Sequence, residues 1–560
     1  KLPLTDWMTV NTSYGSGYQW DRAPFQQDTL GHTVQNSQNL AINGQLNFVN
    51  LYNKSKWLKK INDKGKGNKP AANKGKGKDP KAEDKEKDED KDKDKKPGEG
   101  FNPLESLARI IMSVRTGNIT YSQNSGTLLP GYNQTTNVMG MSPGFDAPGF
   151  GFVLGQQNHD LSGDIVRDFA TDAAQRGWLV QTQSIFNPYT TTRTETFNAR
   201  LSVEPVKSLR IELTANRTLS ENRSSFFRWN EAQQGYVNDS PREFGNFSTT
   251  IITWGTTFSK DDEDFVSPIF EQMLANREII SARLGAEDPN SFSQSDNAYW
   301  FGYDTTHQDV IIPAFLAAYT GTNASSVELN PFKRTPLPNW DITYDGLTKI
   351  AAFKKLFRTF TVNHSYRSTF NIGTFQTNLL FVEGGTELDA GGNFIPERQI
   401  SVVTISEQMR PFINFDATLQ NSLIAKFEYN RDRNMSLSMS NYQLTEMRGK
   451  EFVIGTGYRF KGVKFPVRIG GERIKSDLNL RIDLSMRENN TVIRKMQENQ
   501  NQVTAGQNIT SIKASADYVI NQKLNVRAFY ERVINKPVIS TSYPSSNTNI
   551  GISLRFTLTQ

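Results

Sequence analysis

Along much of the chain, apolar side chains return at every second position. LNLRIDLSMR sets Leu478, Leu480, Ile482, Leu484 and Met486 against Asn479, Arg481, Asp483, Ser485 and Arg487. LRIELTANR sets Leu209, Ile211, Leu213 and Ala215 against Arg210, Glu212, Thr214 and Asn216. Successive side chains of a strand point to opposite faces, so this period predicts strands with one greasy face and one wet face. IKASADYVI and LNVRAFYER repeat the pattern around a tight turn at 521–523 and add Ile512, Leu524 and Val526 to the apolar set. The chain closes on NTNIGISLRFTLTQ, where Ile550, Ile552, Leu554, Phe556 and Leu558 alternate with polar or small residues. Further strands are predicted at 197–203, 249–258, 340–344, 360–370, 400–406, 412–419, 423–429, 435–444 and 452–460, with weaker ones at 4–14, 40–51 and 107–121. The total is roughly seventeen, many near the 9–11 residues that a tilted membrane strand needs.

Two segments break the period. DIVRDFATDAAQRGW predicts a short helix with Ile165, Phe169 and Ala173 on one side and Gly177 at its stop. SPIFEQMLANREIISARLG predicts a second, with Ser267 as cap, Pro268 in the first turn and Gly285 at the end. Ile269, Met273, Arg277, Ile280 and Leu284 lie along one side of it. Both helices fall inside long connections (123–194, 260–338 and 371–398) and are expected to pack over the mouth or wall of the sheet. MSPGFDAPGFGFVLG is rich in Gly, Pro and Phe. A packed loop is its bland meaning, and a groove for apolar chains lined by Phe145, Phe150 and Phe152 is the functional one.

Composition narrows the class. Only 36% of residues are apolar, mean hydropathy is −0.57, and no apolar run reaches the about 20 residues of a spanning helix. A β-barrel escapes that limit, because only alternate residues of its strands face lipid. The expected fold is an all-β, antiparallel transmembrane barrel wall with long loops containing short helices. Short turns such as EPVKS at 204–208 beside long connections favour it over a soluble sandwich. So do aromatics toward strand ends (Tyr344, Tyr429, Tyr458, Phe460, Tyr530 and Phe556). So too does the C-terminal spacing of Asn549, Gly551, Leu554 and Phe556, which fits a barrel insertion signal within 549–560. Leu478, Leu480, Ile482, Leu484, Ile512, Leu524, Val526 and Ile552 are the candidate lipid-facing residues, in contact with outer-membrane lipid or lipopolysaccharide.

The net charge of +6 is local. Residues 54–100 hold 17 Lys against 11 Asp and Glu, a surplus equal to that of the whole chain. Such a tract lacks apolar surface to offset ordering entropy, so 54–100 is expected to be a disordered insertion between barrel strands at 1–53 and 101–560. A solvated linker is its commoner meaning, and a tether for anionic lipid or a partner the rarer one. The remainder is neutral, so no nucleic acid is expected as a partner. There is no cysteine, and the four histidines (His32, His159, His307 and His364) lack metal-ligand spacing. KDDED at 260–264 has calcium-type ligands, but an acidic loop before a helix is the commoner meaning. No hydrolase, zinc-protease or nucleotide motif occurs, so no catalysis, cofactor or metal is expected.

The segments PGFGFVLGQQ, DIVRDFATDAAQRGWL, NPYTTTRTETFNARLSVEPVKSLRIELTANRT, IIPAFLAAYTG, PNWDITYDGL, FTVNHSYRSTF and SNYQLT resemble the C-terminal part of the SprA/Sov family. These are outer-membrane translocons of the type IX secretion system of Bacteroidetes, associated with gliding motility. The resemblance covers essentially the whole chain outside 54–100. It implies a very large single-chain barrel, of which this chain supplies part of the wall, and a wide gated lumen passing folded cargo with a C-terminal targeting domain. It also implies a PorV-like shuttle barrel and a periplasmic plug protein as partners. The main alternative is a large porin or TonB-dependent receptor-like barrel for small solutes. One inconsistency stands. Alternating backward from a last strand that runs inward places 204–208 on the outer side, against its shortness. Either a further strand lies within 260–338, or a segment there crosses inside the lumen.

Overall fold

The computed structural model describes residues 5–25, 27–64, 108–157, 168–332, 335–382, 384–469, 472–520, 524–538 and 542–556. Fifteen strands make one sheet: β1 (Met8–Asp21), β2 (His32–Asn47), β3 (Val114–Tyr132), β4 (Tyr189–Val203), β5 (Leu209–Asn230), β6 (Gly235–Thr250), β7 (Asn339–Tyr344), β8 (Phe357–Thr377), β9 (Arg398–Leu419), β10 (Leu423–Ser438), β11 (Gln443–Ile469), β12 (Glu472–Lys495), β13 (Gln500–Val519), β14 (Leu524–Pro537) and β15 (Ser545–Phe556). Every neighbour pair is antiparallel, in chain order apart from β7, which lies beside β5 and β8. The sheet is open: among the described residues β1 pairs with β2 alone and β15 with β14 alone.

The strands are longer and fewer than the pattern predicts. β5 has 22 residues and β11 has 27; two of the long connections contract to 133–188 and 378–397, while the third lengthens to 251–338. The expected strand at 249–258 is replaced by the end of β6 and a 3₁₀ turn at Trp254–Thr256. Its apolar residues serve another purpose, since Ile251 turns into the core. The expected turn at 521–523 lies outside the described residues.

β6 and β7 share a single strand position. β6 pairs with Arg217–Asn230 of β5, and β7 with Leu209–Thr214 of the same strand. Both also pair with β8, at 369–376 and 362–366. The two therefore run collinearly in one direction, and the chain leaves the sheet midway at Thr250 and re-enters at Asn339. Side chains replace ladder bonds at the gap. Thr250 Oγ1 accepts from the Asn216 N–H at 3.1 Å, and Asn339 Oδ1 accepts from the Ser368 N–H at 2.8 Å. Fourteen positions result, and 204–208 falls at the same end as Phe556. The inconsistency read from sequence disappears, because β6 and β7 count once, 400–406 and 412–419 are both β9, and 423–429 and 435–438 are both β10. The end carrying 204–208 is called lower here.

The helices are α1 (Phe48–Tyr52), α2 (Lys56–Lys64), α3 (Phe150–Val153), α4 (Phe169–Gln175), α5 (Pro268–Glu287), α6 (Gln308–Thr320) and α7 (Ala351–Leu356). α2 corrects the expected disorder over 54–64, α1 replaces the end of the expected strand at 40–51, and 65–100 lies outside the described residues. Ile61 is buried in the cluster of Tyr52, Ala108 and Met112, with Leu58 packed against it. A short apolar stripe thus orders the first turns of a tract whose average composition is hydrophilic. α4 starts at Phe169, where Asp168 caps it by accepting the Thr171 N–H at 3.2 Å, and Gly177 stands just beyond it in the left-handed region. Ile165 lies outside the described residues.

α5 begins at Pro268 as expected, but the Ser267 side chain makes no capping bond. It also runs two residues past Gly285. That glycine is a packing position: a Cβ there would stand 2.5 Å from the Trp300 ring. α6 was not legible as a helix. It is apolar on all sides and buried from Val310 to Tyr319, so it has no amphipathic stripe to read. Together α5 and α6 pack on the upper half of the sheet, against Phe247, Phe370, Ile372, Phe375, Val403, Ile405, Met435, Leu437 and Leu444.

Candidate functional site

Register fixes which residues share a face. Leu478, Tyr518, Val526 and Leu554 are successive cross-strand partners, as are Leu480, Ala516, Ala528 and Ile552. Leu484 partners Ile512, Ile482 partners Ala514, and Leu524 partners Phe556. All eight candidate lipid-facing residues therefore lie on one face. Ile482 and Ile552 are 52% and 75% exposed. The apolar face extends to Phe427, Ile454 and Tyr458 on β10 and β11, and to Leu201, Ile119 and Ile42 toward β2.

On β3, β4, β10, β11 and β12 this face turns from apolar to polar partway up, and on β8 to β11 it turns apolar again beneath α5 and α6. Going up, Met486 is followed on the same side by Glu488, Phe452 by Lys450, Tyr429 by Arg431, Phe197 by Glu195, and Tyr121 by Gln123. On β12 the apolar run from Leu478 to Met486 rises about 27 Å along the strand. Aromatic rings line the level where it ends. Trp254 lies 5.5 Å from Trp340 and 6.3 Å from Phe412, Phe412 is 5.6 Å from Tyr429, and Tyr429 is 4.6 Å from Phe452. Tyr458 and Phe460 pack 4.6 Å apart near the lower end. Tyr429 and Tyr530, expected near strand ends, stand within their strands.

Above that level the same face is covered by the excursion at 251–338, and ions are buried under it. Arg494 is fully buried. Its Nη2 donates to Glu446 Oε2 at 2.9 Å and Asp261 Oδ2 at 2.7 Å, and its Nη1 to the Phe265 carbonyl at 2.6 Å. Arg448 lies 2.7 Å from Glu446 and 3.0 Å from Asp261. Asp261, one of the calcium-type residues of KDDED, is thereby an ion-pair partner. Asp262 closes a turn by accepting from the Val266 N–H at 2.7 Å. Beside this network, Arg433 donates to Glu407 at 3.2 Å, and Glu407 accepts from Thr257 at 2.8 Å and from Thr253. Buried charges persist only when paired and hydrogen-bonded. Here the residues just past the break supply those partners.

The opposite face is mostly polar, with Ile424, Met447, Val453, Phe529 and Val533 scattered on it, and many of its charges are paired. Arg459 meets Asp477 at 2.6 Å, Arg481 meets Asp483 at 2.7 Å, Lys426 meets Glu428 at 2.7 Å, and Arg200 meets Glu212. Glycines make room for them: a Cβ at Gly455 would stand 2.5 Å from Asp483 Oδ1. A shallow hollow of about 510 Å³ on this face is lined by Asn118, Asn198, Arg200, Asn216, Asp341, Arg367 and Gln408 among others. Its walls are amides, hydroxyls and matched ions.

Of the other sequence candidates, Asn549, Gly551, Leu554 and Phe556 all lie on β15, an exposed edge strand. Gly551 faces Phe529, whose ring a Cβ there would meet at 2.6 Å. The phenylalanine trio is divided. Phe145 and Phe150 are exposed, but Phe152 is buried, stacked on Phe169 at 4.0 Å and edge-on to Tyr18 at 6.3 Å. The expectation of a three-ring docking groove is corrected for Phe152, because its ring is core. The signal that sequence reasoning missed is the row of Arg431, Arg433, Glu446, Arg448 and Arg494. These look like wet-face residues until register places them on the greasy face.

No family model and no curated protein matches the chain. Among solved structures it is similar to one described as the structure of the RagAB peptide transporter, at 9% identity and a TM-score of 0.26, over 95% of this chain and 49% of that one. The chain spans about half the length of that solved chain.

Proposed function

We propose that this chain is a stretch of outer-membrane barrel wall from a protein-conducting translocon of the type IX secretion family, passing folded cargo through a wide lumen without catalysis. The observation that carries the reading is the uncovered apolar run on one face of the lower half of the sheet, which ends in polar residues partway up several strands. An apolar run bounded by aromatic rings is what a strand crossing a bilayer presents to lipid. The charge-paired face suits a hydrated lumen, since matched ions leave little net field to hold a passing protein. Among the described residues the sheet of fourteen strand positions leaves both edges unpaired, which fits a wall completed by further strands. The partners on this reading are a PorV-like shuttle barrel, a periplasmic plug protein and secreted cargo with a C-terminal targeting domain.

The test is mild-detergent extraction of the native, tagged protein, followed by intact mass and identification of what comes with it. Recovery within a much larger polypeptide, or bound to the remainder of one, with a second barrel and secreted proteins attached, supports the translocon. Recovery as a lone closed barrel of 63.2 kDa that conducts only small solutes would replace it with the porin-like alternative.

A further inference from the structure

Below the apolar band, the chain between β2 and β3 builds a second, smaller module. α1 and α2 pack Tyr52 and Ile61 against Ala108 and Met112, and Tyr52 Oη donates to the Ile111 carbonyl at 3.0 Å. Arg115 ties it to the sheet, donating to Asn62 Oδ1 at 3.2 Å and standing 3.2 Å from Glu204 in the turn at 204–208. Phe48 reaches Gly117, where the side chains of Leu46 and Leu201 also converge. Leu46, Gly117 and Leu201 are cross-strand partners on the apolar face. The module therefore hangs at the lower end on the side of the apolar band.

Its outer surface mixes two chemistries. Trp57, Ile110, Ile111 and Val206 are exposed, Ile110 at 67%. Lys56, Lys59, Lys60, Arg109 and Lys207 are exposed beside them. At about 100° per residue, Leu58 and Ile61 face the module's core and the lysines face away, with Trp57 at the seam. A hollow of about 750 Å³ opens between α2, Met112 and the turn, lined by Ile61 and Val206 together with Arg109, Arg115 and Lys207 and with Glu204, the partner of Arg115. Water alone gives no reason to leave an indole and two isoleucines exposed next to five cations. A membrane interface does, because acyl chains take the apolar groups while anionic headgroups take the cations.

We infer that this module is a rim clamp for anionic phospholipid headgroups of the leaflet meeting the lower end of the band. The occupant follows from continuity with the band and from the sign of the exposed charge. The inference rests on the band being lipid-facing.

The chain has no cysteine, so a fluorophore can be placed singly at Ile110→Cys or Ile482→Cys in the full protein, reconstituted in vesicles containing brominated phosphatidylglycerol or brominated phosphatidylcholine. The expected result is quenching at both positions, with the anionic lipid about threefold more effective at 110 and equal to the neutral one at 482. Adding Lys56→Gln, Lys59→Gln, Lys60→Gln and Lys207→Gln brings the ratio at 110 to about one, as does high salt with the native charges in place. The salt arm keeps the test valid where the quadruple variant fails to insert, which the probe at 482 reports. Equal quenching by both lipids at 110 overturns the clamp. Quenching at 482 with none at 110 also overturns it and hands this surface to a protein partner, leaving the wall intact. No quenching at either position overturns the wall and the clamp together.

Discussion

The lower and upper halves of one sheet face obey different rules. Below, Leu480, Ile482, Ile454 and Phe452 stand exposed with no protein over them. Above, on the same strands and the same side, Glu446 and Arg494 are fully buried. The pleat is continuous, so the strand itself does not distinguish the halves. The covering does. Where nothing folds over the face, apolar residues fit a lipid solvent. Where residues 251–338 fold over it, ions are tolerated because Asp261, Thr253 and Thr257 arrive with the cover to pair them.

The largest effect is expected where that cover is broken electrostatically. Arg494→Ala leaves Glu446 and Asp261 facing one guanidinium fewer in a buried site, at a cost of about 3–5 kcal/mol. The loss should appear first as protease sensitivity within 251–338, while the lower band stays intact. If 251–338 remains as resistant as before, the network does not hold the cover. Next comes the reverse insult, a charge placed in the uncovered half. Ile482→Arg should cost about 2–4 kcal/mol in folding into vesicles, against little for Ser515→Arg on the polar face. Equal costs at the two sites would mean that the two faces do not differ in solvent.

A smaller, graded effect is expected with pH. Burial raises the phenol pKa of Tyr319 and Tyr299, and burial followed by the hydrogen bond to Asp288 raises that of Tyr303. All three belong to the cover. Above the ordinary tyrosine value of about 10, the unfolded chain sheds these protons while the folded cover keeps them, so stability falls as pH rises. The protection of α5 and α6 against hydrogen exchange, taken relative to the base-catalysed intrinsic rate, should fall above about pH 10, with that of the band strands unchanged. A uniform fall in protection would remove the distinction. The smallest effect is reserved for the polar face. Arg481→Gln, breaking an exposed pair with Asp483, should shift stability by no more than about 0.5 kcal/mol. A larger loss would mean that this face is dry.

Much of the wall was legible because alternation is a local property. Leu478 to Met486 announce their shared face from spacing alone, and the register bears out every member of that set. Pro268 marked the start of α5 in the same local way. The helical stripe of Trp57, Leu58 and Ile61 was hidden by a lysine-rich average, and α6 was hidden because it is apolar all round. Phe152 and Phe150 look alike in sequence, yet one stacks on Phe169 and the other stays exposed.

By itself, then, the sequence determined the class of element, the two-faced strands, the short turn at 204–208 and the alternation of Ile550 to Phe556, since each depends on neighbours a few residues away. Only the tertiary structure decided that β6 and β7 share one position, that the chain leaves the sheet between Thr250 and Asn339, and that Arg494 lies beneath what it brings back. Those outcomes join residues as far apart as Asp261 and Arg494, and pairing over such a separation is set by which surface is left to cover, a quantity no local pattern encodes.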